Sequence, residues 1–326
     1  MKKARYLFPS DYMADPSVHV FNDKLYIYPS HDWDSGAAFD DDGGHFEMKD
    51  YHTLTDIENE EATDCGKILD LQDIPWAGRQ LWDNDVVEKD GKYYLIFSAK
   101  DKNDVFHLGV AVADRPEGPF KPQADHIRGS DKIVHGAQPI DQFVFKDDDG
   151  SIYVYFGGLW GGQLQRYKDN KAMGKEYLPE GDEPALPSRV VKMTDDVLQF
   201  AEEPKPVLVV DENGKPLAAS DPHRFFEASW MHKYNGKYYF SYSTGDTHLL
   251  CYATGDNPYG PFTYKGVVLE PVVGWTTHHS IVEYKGKWYL FHHDCVPSND
   301  VTWLRSLKVL ELDVNKEGEI KTAKSE

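Results

Sequence analysis

Along this chain apolar and polar residues alternate with a period of two, and the alternation comes back in a repeated phrase. VFNDKLYIYPS from Val20, VEKDGKYYLIFSA from Val87, FKDDDGSIYVYFGG from Phe145, YNGKYYFSYS from Tyr234 and VEYKGKWYLFHHD from Val282 each join a short polar turn to an aromatic and β-branched run. Residues two apart share one face of a strand, and Asn-Gly, Asp-Gly or Lys-Gly turns supply the backbone freedom that a tight hairpin needs. Each phrase therefore predicts a β-hairpin. A second phrase, HLGVAVADRPEGPF from His107 and HLLCYATGDNPYGPF from His248, predicts a further strand followed by a proline turn.

Five rounds of strand, turn and strand are the signature of an all-β, five-bladed β-propeller whose innermost strands line a central channel. No stretch sustains apolar residues at i, i+3, i+4 and i+7, so helices are not expected. A β-sandwich is the competing all-β architecture; five recurrences of similar size favour blades. The repeats are unevenly spaced because loops are inserted between them, as at 31–46, rich in Asp and Gly, and at 169–188, with Pro and charge but no alternation. Without a low-complexity linker, residues 1–326 read as one unit.

Charge then narrows the partners. With 55 acidic against 35 basic residues, the formal charge of −20 argues against nucleic acid or an anionic membrane as ligand, since both are polyanions. Neither a signal peptide nor a membrane-spanning run is evident, so a cytoplasmic location is expected. Cys65, Cys251 and Cys295 lack any paired spacing and read as reduced residues. Eight Trp and twenty Tyr exceed the needs of a core and lean toward sugar binding, for which aromatic faces are platforms. The runs Asp40–Asp42 and Asp147–Asp149 read as solvated hairpin tips.

Candidate chemistry follows from position within the repeat. Side chains at the start of a blade's innermost strand crowd the channel mouth, and three acids lie just before hairpin phrases: Asp15 in YMADPSVHVF, Asp141 in QPIDQFVF and Glu227 in FFEASW. Paired carboxyls across a sugar are the machinery of glycoside hydrolysis. Trp76 and Trp82, in IPWAGRQLWDND, are candidate stacking platforms, and Trp160, in GGLWGGQLQRY, and Phe225, in FFEASW, are further candidate substrate contacts. The glycine pairs around Trp160 lack the strand-to-helix setting of a phosphate loop, and no GxSxG, HExxH or spaced Cys/His zinc pattern occurs.

Ala-Asp-Pro-Ser at Asp15, Pro-Ile-Asp at Asp141, Phe-Glu-Ala at Glu227 and Thr-His-His-Ser at His278, in this order among five hairpins, resemble glycoside hydrolase family 43 from Tyr12 to about Gly318. That resemblance implies a five-bladed propeller acting on xylosides or arabinosides with inversion. It implies Asp15 as general base, Glu227 as general acid, and Asp141 as the residue that orients the acid and tunes it through its own charge, with Phe225, Phe226 and Trp230 as an apolar setting. It implies calcium or another divalent cation at the channel centre near His278, and a sugar-binding role for Arg305. Two departures stand out: Trp82-Asp83-Asn84-Asp85 replaces the family's usual Trp-Ala-Pro-Asp, which leaves open whether Asp83 or Asp85 faces the pocket, and Gln142 replaces a usual Pro.

The resulting expectation is an inverting exo-β-xylosidase that takes small xylo-oligosaccharides. The alternatives are an α-L-arabinofuranosidase, alone or as a second activity, and a propeller that binds sugar without cleaving it. Closure of the pocket falls to the chain's own loops or to a neighbouring subunit in a homo-oligomer.

Overall fold

The computed structural model describes residues 3–38, 43–130, 139–158, 167–168, 171–172 and 179–326. Five antiparallel sheets follow one another along the chain. Blade one comprises Met13–Phe21, Lys24–His31, Asp50–Thr55 and Thr63–Asp70; blade two, Ala77–Lys89, Lys92–Asp101, Phe106–Ala113 and Lys121–Pro122. Blade three comprises Phe143–Lys146, Ile152–Phe156, Ser188–Lys192 and Lys205–Val207. Blade four runs Phe225–Tyr234, Lys237–Thr244, Leu250–Gly255 and Phe262–Leu269, with Val209–Val210 added in parallel at its edge. Blade five has Ser280–Tyr284, Lys287–Asp294 and Ser306–Leu312, and its fourth strand is Arg5–Tyr6 from the other end of the chain. The all-β propeller read from the sequence is the architecture observed, and among the described residues there is no α-helix.

All five repeated phrases are hairpins, and their turns sit at Asn22–Asp23, Asp90–Gly91, Gly150, Asn235–Gly236 and Lys285–Gly286, where the backbone is left-handed. Alternation along each strand gives every blade two apolar faces, and each face buries against the next blade. Tyr28, Tyr51, Val86 and Phe97 fill the joint between blades one and two, and Ile96, Leu108, Val154 and Phe156 that between two and three. Leu25, Leu54, Phe291 and Leu307 close five onto one. These packed joints fix where the five innermost strands begin.

Candidate active site

In four of the five blades the innermost strand starts at or just after a break in regular geometry, and the break aims a side chain at the channel mouth. Asp15 has φ +47°, and the pairing of its strand slips between Ala14 and Ser17. Asp141, just ahead of its strand, has φ +53°. Pairing slips on both sides of Glu227, and Ala228 has φ +62°. In blade two the slip between Trp82 and Asn84 brackets Asp83. A bulge re-aims a side chain, and left-handed backbone outside glycine costs about 1–3 kcal/mol, so the surroundings have to hold it. Neighbouring blades do so at Asp83: its carbonyl accepts from the Tyr51 hydroxyl (3.0 Å) and from the Gln142 amide (2.7 Å). The residue that departs from the family pattern after Asp141 is thus a clamp between blades.

His278, arriving ahead of blade five, lies among the four acids. Its Nδ1 is 3.4 Å from Asp15 Oδ1 and 3.3 Å from Asp83 Oδ2; its Nε2 is 3.7 Å from Glu227 Oε1 and 4.0 Å from Asp141 Oδ2. Asp15 and Glu227 therefore face opposite nitrogens of one ring. Arg305 supplies the second cation: Nη1 donates to Asp15 Oδ1 at 2.6 Å, while Nε, Nη2 and the backbone N–H donate to buried Asp32 at 2.8, 2.7 and 2.9 Å. On the acid side, the Thr276 hydroxyl donates to Glu227 Oε1. Asp141 packs so closely on Gly158 that a Cβ there would lie 2.6 Å from Asp141 Oδ2.

Charge state follows from this layout. Burial works against ionisation of Asp15, but the Arg305 guanidinium and the His278 ring outweigh it and hold the carboxyl well below the ordinary carboxylate range. Burial also disfavours a charged His278, yet the carboxylates of Asp83, Asp15 and Asp141 raise it well above 6.5. The sequence reading has Asp141 as an ionised neighbour of the acid. In the structure burial, reinforced by Asp83 and Glu227 and opposed by His278, pushes the carboxyl of Asp141 itself well above its ordinary value.

Of the other candidates, Trp82 and Arg305 line this pocket together with Phe46, Met48, Ile140 and Trp275. The Trp82 ring is fixed by its N–H, which donates to the Phe46 carbonyl at 2.9 Å. Two candidates belong elsewhere. Trp76 stacks on Phe97 within blade two, ring centroids 5.9 Å apart, beside His107 and His126. Phe225 packs in the core on Phe240 and Tyr242, because the slip between Phe225 and Glu227 turns the two side chains to different sides. Trp160 lies outside the described residues. Asp83 rather than Asp85 faces the pocket; Asp85 lies deeper in the channel and binds Ser17, His19 and the Val144 N–H. Asp32, Thr276 and Cys295 carry no signal in the repeat phrases, and Cys295 is a buried free thiol pushed up to about 12, chiefly by burial.

Two overlapping donor sets, Asp15–Asp83–His278 and Asp141–Glu227–His278, each bring three potential ligand atoms within 4.8 Å. Oδ2 of Asp141 is buried without a hydrogen-bond partner. Carboxylate oxygens suit a hard divalent cation, so these residues fit one.

Comparison with known proteins agrees with the geometry. The family model described as glycosyl hydrolases family 43 matches residues 9–320. A β-xylosidase of Xylanibacter ruminicola is 74% identical over 325 residues, covering 99% of this chain and 100% of the relative. A xylosidase/arabinosidase of Bacteroides ovatus is 66% identical over 321 residues, covering 98% and 97%. Among solved structures, a family 43 β-xylosidase/α-arabinofuranosidase from a compost microbial metagenome, in complex with xylotriose and in a calcium-free form, superposes with a TM-score of 0.90. It is 55% identical, covering 98% of this chain and 97% of that one.

Proposed function

The chain belongs to glycosyl hydrolases family 43, and from that membership we propose that its pocket removes terminal xylose from short β-1,4-xylo-oligosaccharides with inversion, Asp15 acting as general base and Glu227 as general acid. It is a glycoside hydrolase with xylosidase activity, and the sugar-binding propeller without catalysis is set aside. The observation that carries the role assignment is the placement of Asp15 and Glu227 against opposite nitrogens of His278. Inversion needs its two carboxyls roughly 6.5–9.5 Å apart so that a water fits between base and sugar. Carboxyls separated by the width of a ring, rather than side by side, leave that kind of room.

In the proposed reaction a water beside Asp15 attacks the anomeric carbon and passes its proton to the carboxylate as the new C–O bond forms. Glu227 protonates the glycosidic oxygen as the old bond breaks, and xylose leaves as the α anomer. Asp15, held ionised by Arg305, is a weak base and takes its proton late, once positive charge on the sugar has acidified the water. The Thr276 hydroxyl occupies Oε1 of Glu227, leaving the other oxygen to carry the transferable proton. Asp141, beside Glu227, keeps a second protonatable carboxyl on the acid side. A calcium-class cation held by Asp83 and a deprotonated His278, within the Asp15–Asp83–His278 set, would supply positive charge against the converging acids. NMR of the first-formed anomer tests the stereochemistry: β-xylose as the initial product would overturn inversion.

α-L-Arabinofuranosidase action is the second reading. It is supported by the names of the Bacteroides ovatus relative and of the compost enzyme, both of which join the two activities. Rates on 4-nitrophenyl β-xyloside and α-L-arabinofuranoside measure it, and a rate on the arabinoside no higher than the uncatalysed background would remove it.

A further inference from the structure

A buried imidazole outside the four-acid cluster ties its two working ends together. His293, on the second strand of blade five, is 2% exposed. Its Nδ1 accepts the backbone N–H of Asp15 at 3.1 Å, and its Nε2 lies 3.2 Å from the carbonyl oxygen of Thr276. Because Nδ1 faces a donor and Nε2 an acceptor, one neutral tautomer satisfies both: lone pair on Nδ1, proton on Nε2. Burial and the nearby Arg305 guanidinium push the ring well below its ordinary range, which keeps it neutral. Thr276 in turn donates its hydroxyl to Glu227. The path is continuous: Asp15 N–H to His293, His293 N–H to Thr276, Thr276 O–H to Glu227.

The backbone around this path is doubly fastened. The Thr277 hydroxyl accepts the His293 N–H at 3.1 Å and donates to the His293 carbonyl at 2.9 Å, and the Thr277 carbonyl accepts from the Ser243 hydroxyl of blade four. At the other end the tie grips Asp15, whose left-handed backbone needs holding. Asp15 comes from blade one and Glu227 from blade four, with the tie reaching them from blade five.

We propose that His293 is a positioning residue that sets the spacing between general base and general acid, by binding the main chain of Asp15 with one nitrogen and the main chain of Thr276 with the other. The inference rests on the assignment of Asp15 and Glu227 as base and acid. Displacement of a reacting group by about 1 Å can cost on the order of a hundredfold in rate. Loss of the tie therefore acts on kcat, while sugar contacts, and with them KM, stay close to wild type.

Two replacements cut the tie at different ends. His293→Asn keeps an acceptor near the Nδ1 position and loses the Thr276 contact; His293→Gln keeps a donor near Nε2 and loses the Asp15 contact. Both are measured on xylobiose, whose poor leaving group needs the acid, and on 4-nitrophenyl β-xyloside, whose activated leaving group needs it little. The expected result is a 10- to 100-fold fall in kcat with KM within about threefold of wild type. His293→Asn should lose more on xylobiose than on the aryl xyloside, and His293→Gln should lose equally on both. Thr276→Val, which removes only the hydroxyl, should repeat the leaving-group pattern of His293→Asn, and Thr276→Ser should restore activity. These two variants decide the acid half of the path if either His293 variant fails to fold.

Folded His293 variants with wild-type kcat, or an equal fall on both substrates for both His293→Asn and Thr276→Val, would overturn the proposal. Asp15→Asn and Glu227→Gln, run alongside, separate the layers. If they still hydrolyse xylobiose, the base-and-acid reading falls and the tie with it; if they are inactive on xylobiose while His293→Asn and His293→Gln match wild type, only the tie is wrong.

Discussion

Two clusters of imidazole and carboxylate lie on blade one and its surroundings, and they are built to opposite ends. At the edge of the blade, His31 places Nδ1 2.6 Å from Asp50 and Nε2 3.3 Å from Asp11, while His52 pairs with Asp64 at 2.9 Å and the Trp33 N–H reaches Asp50 at 3.2 Å. Each ring has a carboxylate at hydrogen-bonding distance. In the pocket, one His278 stands among four acids at 3.3–4.0 Å, beyond good hydrogen bonds, and Asp141 keeps a buried oxygen without a partner. The first cluster is satisfied and stabilises the blade. The second is only partly satisfied, with Arg305 on Asp15 and Thr276 on Glu227 but nothing on Oδ2 of Asp141, and a site so built gives up stability for function.

That contrast is open to a double dissociation. The largest effect expected is in the pocket: Asp15→Asn or Glu227→Gln should lower kcat on xylobiose by about a thousandfold or more, and Glu227→Gln, which leaves no cation unpaired, should do so with little loss of melting temperature. Unfolding of Glu227→Gln at markedly lower temperature than wild type would break the comparison. Gly158→Ala comes next, because its methyl group would displace Asp141; a 10- to 100-fold fall in kcat is expected with the sheet intact, read by circular dichroism and steady-state kinetics.

Cation effects are smaller. Calcium at a hundred times its Kd should stabilise the chelated protein by about 2.7 kcal/mol, and the gain should vanish in Asp83→Asn; a gain of equal size in that variant would move the cation away from His278. The smallest effect belongs to the blade-edge cluster. Partners raise His31 to about 9, so its contribution is fully present below pH 6.5 and is lost as pH rises through about 9. Because the ring is partly solvated, the loss should be only about 1–2 kcal/mol in thermal or denaturant unfolding, absent in His31→Asn. A profile in which His31→Asn follows wild type would show that the cluster is not a stabilising element.

The propeller and three of its converging acids were legible in the sequence because both depend on local features. A hairpin is written within a dozen residues, and Asp15, Asp141 and Glu227 are found by their place ahead of one. What decides the remaining site is not local. Arg305 and Asp32 meet across 273 positions, His293 and Asp15 across 278, and nothing in either short stretch announces the other. Phe225 stands near the right place in the repeat, but the slip in pairing before Glu227 alters the facing of successive side chains, while Trp76 lies ahead of its strand and stacks on Phe97. Alternation alone leaves Asp83 and Asp85 equivalent; the pairing slip at Asp83 and the bonds of Asp85 to Ser17, His19 and the Val144 N–H, made between blades, separate them.

The two-residue strand Arg5–Tyr6, paired with Val309 and Lys308, has a consequence for when the protein becomes active. During synthesis four blades can form in sequence as the chain emerges, yet the ring closes only after the last strand exists to receive the first. Until then Asp15 has no Arg305 beside it, and the four acids have no histidine among them. The nascent chain thus meets its densest concentration of buried charge at the final step, when the counter-charges arrive with it.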